Sequence, residues 1–138
     1  MAPLKQKGDL AEMMVAADLL RRGHRIAFPH GEDWDYDLIV ERAGQLERVQ
    51  VKYATSDGRV VPVRCYAVSV TNGRVCNTKH YTSETIDWMA VYDVTTDCCY
   101  YLPASELGAG RSTLRLRLTP ALSGRRKGIR NAVDYLSI

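Results

Sequence analysis

The sequence predicts an α/β domain with a mixed, mostly antiparallel sheet flanked by helices. One segment with helical periodicity comes first, and several segments rich in β-branched and aromatic residues follow it, separated by turns that contain glycine. The chain has 138 residues, 46% of them apolar, which is enough for one well-packed core. We therefore expect residues 1–138 to form a single domain.

The first element is a helix whose apolar residues recur at three- and four-residue steps. The expected buried face consists of Leu10, Met13, Met14, Ala17 and Leu20. Asp9 is the expected N-cap, and Gly23 is the expected stop at the C-terminal end.

The next segments predict a short strand and then a hairpin. The short strand is "HRIAF", which ends at Pro29. "YDLIVER" and "LERVQVKYA" form the hairpin, with a tight turn over residues 43–45. Alternation along the second of these strands separates Val49 and Val51 from the other face, which carries Arg48, Gln50 and Lys52.

The second half of the chain is also rich in predicted strands. In "GRVVPVRCYAVSVTNGRV", Pro62 indicates an edge strand or a bulge. "IDWMAVYDV" and "CCYYLP" predict a second hairpin, and a short helical piece is expected near "ASEL". "TLRLRL" is expected to be an exposed strand. The spacing of Ile129, Val133 and Leu136 predicts a closing helix.

Charge is unevenly distributed along the chain, although the net charge is only +3. One segment gathers the acidic residues Glu32, Asp33, Asp35, Asp37, Glu41 and Glu47. No acidic residue lies between Glu106 and Asp134, where the basic residues are Arg111, Arg115, Arg117, Arg125, Arg126, Lys127 and Arg130. This distribution suits a cation site beside a polyanion.

Other classes of protein are disfavoured. No apolar run approaches the roughly 18 residues of a membrane span, and the N-terminal segment lacks the order of a secretory signal, so we expect a cytoplasmic protein. The four cysteines lack zinc-site spacing and are expected to be reduced and mostly buried.

Glu12, Asp37 and the tripeptide Gln50-Val51-Lys52 combine into a candidate catalytic site. A hairpin with its turn near Gly44 brings Asp37 and Gln50 to opposing positions. Carboxylate, amide and backbone carbonyl oxygens suit a hard cation such as magnesium. Lys52, on the same strand face as Gln50, could orient an attacking water or hold it deprotonated, as phosphodiester hydrolysis requires.

Each residue also has a plainer interpretation. Glu12 could form a capping box with Asp9, and Asp35 could be the functional aspartate instead of Asp37. Gln50 and Lys52 could be the solvated face of an edge strand. Only the joint pattern favours a nuclease site.

The arrangement resembles the PD-(D/E)XK nuclease superfamily, which combines a helix glutamate, an aspartate that begins a strand, and a (D/E/Q)-x-K tripeptide on the next strand. The interval of thirteen from Asp37 to Gln50 (50 − 37) fits its compact members. The chain is most similar to the cyanobacterial group I intron homing endonuclease family, in which glutamine replaces the usual acidic residue. Archaeal Holliday-junction resolvases, which normally have glutamate at the position of Gln50, are the rival family.

The resemblance implies a restriction-endonuclease-like core and a role for each site residue. Asp37 would be the principal metal ligand, the Val51 carbonyl a further ligand, and Lys52 the catalytic lysine. Gln50 would be a weaker ligand or a group that orients water, and Glu12 would act through a water of the metal shell. The implied cofactor is magnesium, for which manganese could substitute.

The resemblance also implies double-stranded DNA as the substrate and a homodimer or homotetramer as the assembly. Base-reading candidates are Arg59, Arg64, Arg74 and Lys79, and phosphate-contacting candidates in the basic region near 111–130 are Arg115, Arg117, Arg125, Arg126, Lys127 and Arg130. The implied function is a magnesium-dependent, site-specific endonuclease of the homing type. The alternatives are a junction resolvase, a non-catalytic DNA-binding module on a decayed nuclease fold, and a β-rich interaction protein.

Overall fold

The computed structural model describes residues 3–120 and 128–138. The helix and the ten strands of these residues are α1 (Leu4–Arg21), β1 (Arg25–Ala27), β2 (Leu38–Arg42), β3 (Gln45–Ala54), β4 (Val60–Arg64), β5 (Tyr66–Thr71), β6 (Arg74–His80), β7 (Trp88–Asp93), β8 (Cys98–Pro103), β9 (Thr113–Arg117) and β10 (Arg130–Asn131). Two 3-10 turns, Ala104–Leu107 and Ala132–Tyr135, complete the described structure. The short helical piece predicted near "ASEL" is thereby confirmed.

A five-stranded sheet in the order β1-β2-β3-β7-β8 forms the centre of the fold. Its neighbouring strands are antiparallel except for β3 and β7, which are parallel. The predicted α/β class with a mixed, mostly antiparallel sheet is therefore confirmed, as are both predicted hairpins. Strand β3 lies in the middle of this sheet, so the interpretation of Gln50 and Lys52 as the solvated face of an edge strand is wrong.

Helix α1 packs on one face of the central sheet. Its buried side chains are those of Ala11, Val15, Ala16 and Leu19, which meet Leu38, Val40, Val49, Val51 and Tyr101. The predicted buried face is wrong, since Leu10, Met13 and Leu20 are 43%, 54% and 55% exposed. Apolar residues occur on more than one side of this helix, and the side with small alanines allows the closer approach to the sheet.

The ends of α1 were only partly predictable. The helix begins at Leu4 with Pro3 before it, so Asp9 lies inside the helix and its prediction as N-cap is wrong. Gly23 follows the last turn at φ 87°, a left-handed conformation that favours glycine, and its prediction as the stop is confirmed.

The other layer of the core contains a second sheet, in the order β10-β9-β4. Val61 and Val63 of β4 and Leu114 and Leu116 of β9 are buried in one cluster with Met89, Val91, Tyr100 and Leu102 of the central sheet. Pro62 lies on the edge strand β4, as predicted. Strand β9 is the central strand of its sheet and buries both leucines, so its prediction as an exposed strand is wrong.

The predicted closing helix is also wrong. Arg130 and Asn131 pair with β9 as a short parallel strand, and only a four-residue 3-10 turn follows. Val133, expected to face the core, is 71% exposed, and Ala132 is buried instead. A turn this short has no continuous face to bury, so the four- and three-residue spacing of Ile129, Val133 and Leu136 does not mark a helix here.

Strands β5 and β6 form a separate two-stranded unit, called the ribbon below, which is joined by a turn at Asn72 and Gly73. Of the four cysteines, Cys65 and Cys99 are buried, and Cys76 lies exposed on the ribbon. Within residues 3–120 and 128–138, no helix combines the length and apolarity that crossing a membrane requires.

Candidate active site

The register of the β2–β3 hairpin sets Asp37 beside Gln50. Ala43 and Gly44 adopt φ 52° and 78°, the left-handed pair of a two-residue hairpin turn, and the ladder runs from Arg42 opposite Gln45 to Leu38 opposite Val49. Asp37 continues this register by one position, and its amide donates to the Val49 carbonyl at 2.9 Å.

The Asp37 carboxylate is fixed to β3 by the backbone. The amide of Val51 donates to Asp37 Oδ2 at 2.8 Å. Burial raises the pKa of Asp37, while the hydrogen bond from Val51 and the charge of Lys52 act in the opposite direction without cancelling it. The carboxylate is therefore held in position at some cost to its ionised form.

Glu12 faces the same polar cleft from α1. The cleft has a volume of about 210 Å³ and is lined by Glu12, Asp37 and the loop residues Pro29, Gly31, Glu32, Asp33, Trp34 and Tyr36. Burial, and then the charges of Asp37 and Asp9, raise the pKa of Glu12 to about 7. Because Asp9 lies inside the helix, the capping-box interpretation of Glu12 is wrong.

Gln50 is buried on the face of β3 opposite α1 and is only 8% exposed. Its Nε2 donates to the carbonyl oxygen of Val51 at 3.3 Å. The side-chain amide therefore points along its own strand toward the Val51 carbonyl, which the family resemblance implies as a metal ligand. A neutral side chain at this buried position avoids adding a third carboxylate to Glu12 and Asp37.

Lys52 is held on two sides. Its Nζ donates to the carbonyl oxygen of Tyr66 at 3.2 Å and lies 5.2 Å from the centre of the Tyr81 ring. Burial and the charge of Arg64 lower the pKa of Lys52, while Asp37 acts against them. The ammonium group is thus fixed near the aspartate in an environment that makes losing a proton easier than in free lysine.

Tyr81 is a neighbour of the site that the sequence did not reveal. It is 6% exposed, and burial together with the charges of Asp37 and Asp35 raises the pKa of its phenol to about 12. Tyr81 is 29 residues from Lys52 in sequence, and it reaches the site because its amide pairs with the Cys65 carbonyl where the ribbon returns to the core. No local pattern marks this contact.

Asp35, the alternative aspartate, has a different partner. Its carboxylate forms an ion pair with Lys79 of the ribbon. Asp37, by contrast, is bonded to β3 and lines the cleft with Glu12. The geometry favours Asp37 over Asp35 as the functional aspartate.

The oxygen donors of the cleft suit a hard cation. Glu12 and Asp37 are two carboxylates brought together at a cost, and a divalent cation would relieve their repulsion. In the described part of the chain, no group of three or more His, Cys, Asp or Glu side chains gathers into a metal site. A cation between Glu12 and Asp37 would therefore also need neutral oxygens, and the oxygens that the resemblance implies, those of Gln50 and the Val51 carbonyl, belong to residues of β3 beside Asp37.

The basic candidates fall into three groups. Exposed side chains are those of Arg59, Arg64, Arg74 and Arg115. Arg130 is engaged with Glu106 at 2.7 Å, Lys79 with Asp35, and Arg117 with the backbone carbonyls of Thr119 and Pro120 at 3.3 Å and 3.2 Å. Arg125, Arg126 and Lys127 lie outside the described residues.

The fold and the site together define a class. A mixed sheet carries Asp37 and the Gln50-Val51-Lys52 tripeptide on adjacent strands, and Glu12 lies on the helix packed against them, which is the arrangement of restriction-endonuclease-like nucleases. The family model described as "PD-(D/E)XK endonuclease" matches residues 3–138. The chain belongs to this endonuclease family.

A solved structure shares the fold. The structure of a bacterial homing endonuclease, I-Ssp6803I, superposes with a TM-score of 0.77 at 20% sequence identity, over 97% of this chain and 88% of that chain. The restriction-endonuclease-like fold that the sequence resemblance implied is thereby confirmed. No curated protein sequence matches the chain.

Proposed function

We propose that this protein is a magnesium-dependent endonuclease that hydrolyses phosphodiester bonds in duplex DNA. The observation that carries the proposal is the single site formed by Asp37, Lys52 and the Gln50-Val51 segment, with Glu12 across a polar cleft. A homing-type, site-specific enzyme is the preferred subclass. The glutamine in the tripeptide and the fold shared with I-Ssp6803I support it.

The residues divide the chemistry between them. Asp37, Gln50 and the Val51 carbonyl would hold the divalent cation, with Glu12 acting through water, and the cation would supply Lewis acidity at the phosphate. Lys52 donates one of its three N–H bonds to Tyr66, which leaves two for the attacking water or a phosphate oxygen. Its lowered pKa helps it exchange a proton with that water.

Affinity for DNA would come from exposed arginines. Arg59, Arg64 and Arg74 are exposed candidates for base reading, and Arg115 can contact phosphates and make binding sensitive to salt. Arg125, Arg126 and Lys127 remain candidates for the same role. Cutting both antiparallel strands takes two active sites, so the proposed assembly is a homodimer or a homotetramer.

The test compares three substrates in magnesium or manganese: a pool of long duplexes, a four-way junction and single-stranded DNA. Lys52→Ala and Asp37→Ala should each reduce cutting by about 100-fold or more while the circular dichroism spectrum is unchanged. Lys5→Ala, at an exposed lysine of the first helical turn, is the matched control and should cut like the wild type. If the wild type cuts no substrate with either metal, the proposal is refuted.

The same experiment separates the alternatives. Preferential cutting of the junction, whatever its sequence, would assign the protein to structure-selective resolvases. DNA binding without any cutting would indicate a non-catalytic module, for which the neutral Gln50 would be the first sign of decay. Asp37 and Lys52, both fixed in position beside Gln50, favour an active enzyme.

A further inference from the structure

The ribbon, β5 and β6, stands apart from the rest of the fold. Residues 68–80 are all exposed, and in the described sheets the two strands are bonded only to each other. Asn72 and Gly73, at φ 52° and 77°, close a tight two-residue turn at its tip. Neither hydrophobic cluster takes a side chain from residues 68–80. Residues 68–80 of the ribbon are therefore not needed to fill the core.

The two faces of the ribbon differ in chemistry. The register shifts between Ser69 and Val70, where Cys76 is the extra residue of a bulge. Counting alternation through this bulge puts Val68, Val70 and Val75 on one face, together with Tyr66, Thr78 and His80 toward the base. The other face is polar and basic, with Ser69, Thr71, Arg74, Asn77 and Lys79. The sequence contains no acidic residue from 66 to 80.

The base of the ribbon adjoins the candidate active site. Lys79, on the polar face, pairs with Asp35, which lies two residues before Asp37. The Tyr66 carbonyl, where β5 begins, accepts the hydrogen bond from Lys52. The base of the polar face therefore lies beside the segment that carries Asp35 and Asp37, so DNA bound at the candidate site would reach this face.

We propose that the ribbon enters the major groove of the DNA beside the cut and reads bases with its polar face, an inference that rests on the proposed nuclease function. Residues 68–71, at about 3.3 Å each, extend roughly 13 Å, whereas the major groove is about 8.5 Å deep and 12 Å wide. The minor groove of undistorted B-DNA is only about 6 Å wide, so two strands about 4.8 Å apart with their side chains would enter it only by deforming the duplex.

Two side chains near the tip of the polar face have the chemistry of base readers. The guanidinium of Arg74 can donate two parallel hydrogen bonds to a guanine, and the amide of Asn77 can both donate to and accept from an adenine. Ser69 and Thr71 lie on the same face and can bond to either base or phosphate. The absence of carboxylates along residues 66–80 favours DNA over a protein partner as the occupant of this face.

The groove is tested by DNA binding in EDTA, where no cutting interferes. The probe is a random-sequence duplex, and the competitors are methyl green, which occupies the major groove, and netropsin, which occupies the minor groove. Methyl green should displace the wild type and netropsin should not. A variant in which Asn-Gly replaces residues 68–78 keeps the Ala67–Lys79 pair, should unfold in urea like the wild type, and should bind at least about 10-fold more weakly.

Base reading is tested by sequencing the ends that the full-length enzyme cuts from a randomised duplex library. Arg74→Ala and Asn77→Ala should each relax the preference at one or two positions by about 10-fold. Val70→Thr and Val75→Thr, on the opposite face, are the matched controls and should give the wild-type profile.

Several results would overturn the inference. Displacement by netropsin, or wild-type binding by the shortened variant, would each contradict the placement in the major groove. An unchanged cleavage profile for Arg74→Ala and Asn77→Ala would contradict base reading. Loss of DNA binding only on substitution of the valine face would indicate an arm that contacts protein. A wild type that binds with sensitivity to methyl green but cuts nothing refutes the proposed function and supports the placement of the ribbon. A shortened variant that cuts at wild-type positions refutes the ribbon inference alone.

Discussion

The carboxyl of Glu12 should make the cation-free protein less stable as the pH rises, and Glu12→Gln should remove this effect. Burial and the neighbouring carboxylates raise the pKa of Glu12 from 4.5 to about 7. In the unfolded chain the group titrates near 4.5, so between these values the folded protein binds more protons than the unfolded chain. Stability is therefore lost as the pH rises from 4.5 to about 7 and is constant above that window.

The magnitude follows from the width of the window. At about 1.4 kcal/mol for each pH unit, the interval from 4.5 to about 7 corresponds to roughly 3.4 kcal/mol for a fully buried carboxyl. Glu12 is only partly buried, and screening by water reduces this to about 1–2 kcal/mol. The free energy of unfolding of Glu12→Gln, relative to that of the wild type, should thus rise by about 1–2 kcal/mol between about pH 5 and about pH 8.

The assay is urea unfolding in EDTA at about pH 5 and about pH 8, followed by circular dichroism. Glu84→Gln, at an exposed carboxylate, is the control and should change the stability by less than about 0.5 kcal/mol at either pH. Excess magnesium should restore the stability of the wild type to urea at about pH 8, because a ligand that binds only the folded state stabilises that state. If the difference in free energy of unfolding between the wild type and Glu12→Gln were the same at both pH values, the reasoning would be refuted.

Substitutions at Leu19, Asp93 and Tyr81 test the packing and the site. Leu19→Ala should cost about 2–5 kcal/mol in urea unfolding because Leu19 is fully buried, whereas Leu20→Ala should cost less than about 0.5 kcal/mol; similar losses would contradict the orientation of α1. Asp93→Asn should cost about 2–3 kcal/mol, because the buried carboxylate accepts hydrogen bonds from Ser56 and Thr96. Burial raises the pKa of Asp93, but these hydrogen bonds outweigh burial and lower the pKa below 3.8. The stabilisation is therefore present above pH 3.8 and is lost as the pH falls through the lower pKa of the folded state. If Asp93→Asn lowered the free energy of unfolding by the same amount at about pH 2 and about pH 7, this account would be contradicted. Tyr81→Phe keeps the ring beside Lys52 and should cut DNA at a rate within a few-fold of the wild type. Tyr81→Leu should cut about 10-fold more slowly with an unchanged fold. Equal cutting rates for the two variants would show that the ring does not support Lys52.

The sequence predicted best what depends on local geometry. The β2–β3 hairpin and the adjacency of Asp37 and Gln50 were predicted from the local pattern, although the turn consists of Ala43 and Gly44 alone and not of residues 43–45, because Gln45 already pairs with Arg42. The second hairpin was found in the same way.

Features that depend on distant packing were missed. Apolar side chains occur on several sides of α1, and only the sheet decides that Leu19 rather than Leu20 is buried. The strand at Arg130 exists only because β9 offers it a partner, so no pattern in its own residues marks it. The surroundings of Lys52 come from Tyr66 and Tyr81, which reach it through the start and the return of the ribbon.

The turn at Ala43 and Gly44 also sets the strand register on which the whole site depends. One residue more or fewer there would shift β3 by one position against β2 and exchange its two faces, unless a bulge absorbed the change. Gln50 and Lys52 would then point at α1, and valines would take their places beside Asp37. Catalytic chemistry and core packing would fail in the same step. Two exposed residues thus act as a spacer whose length, rather than side-chain chemistry, constrains the enzyme.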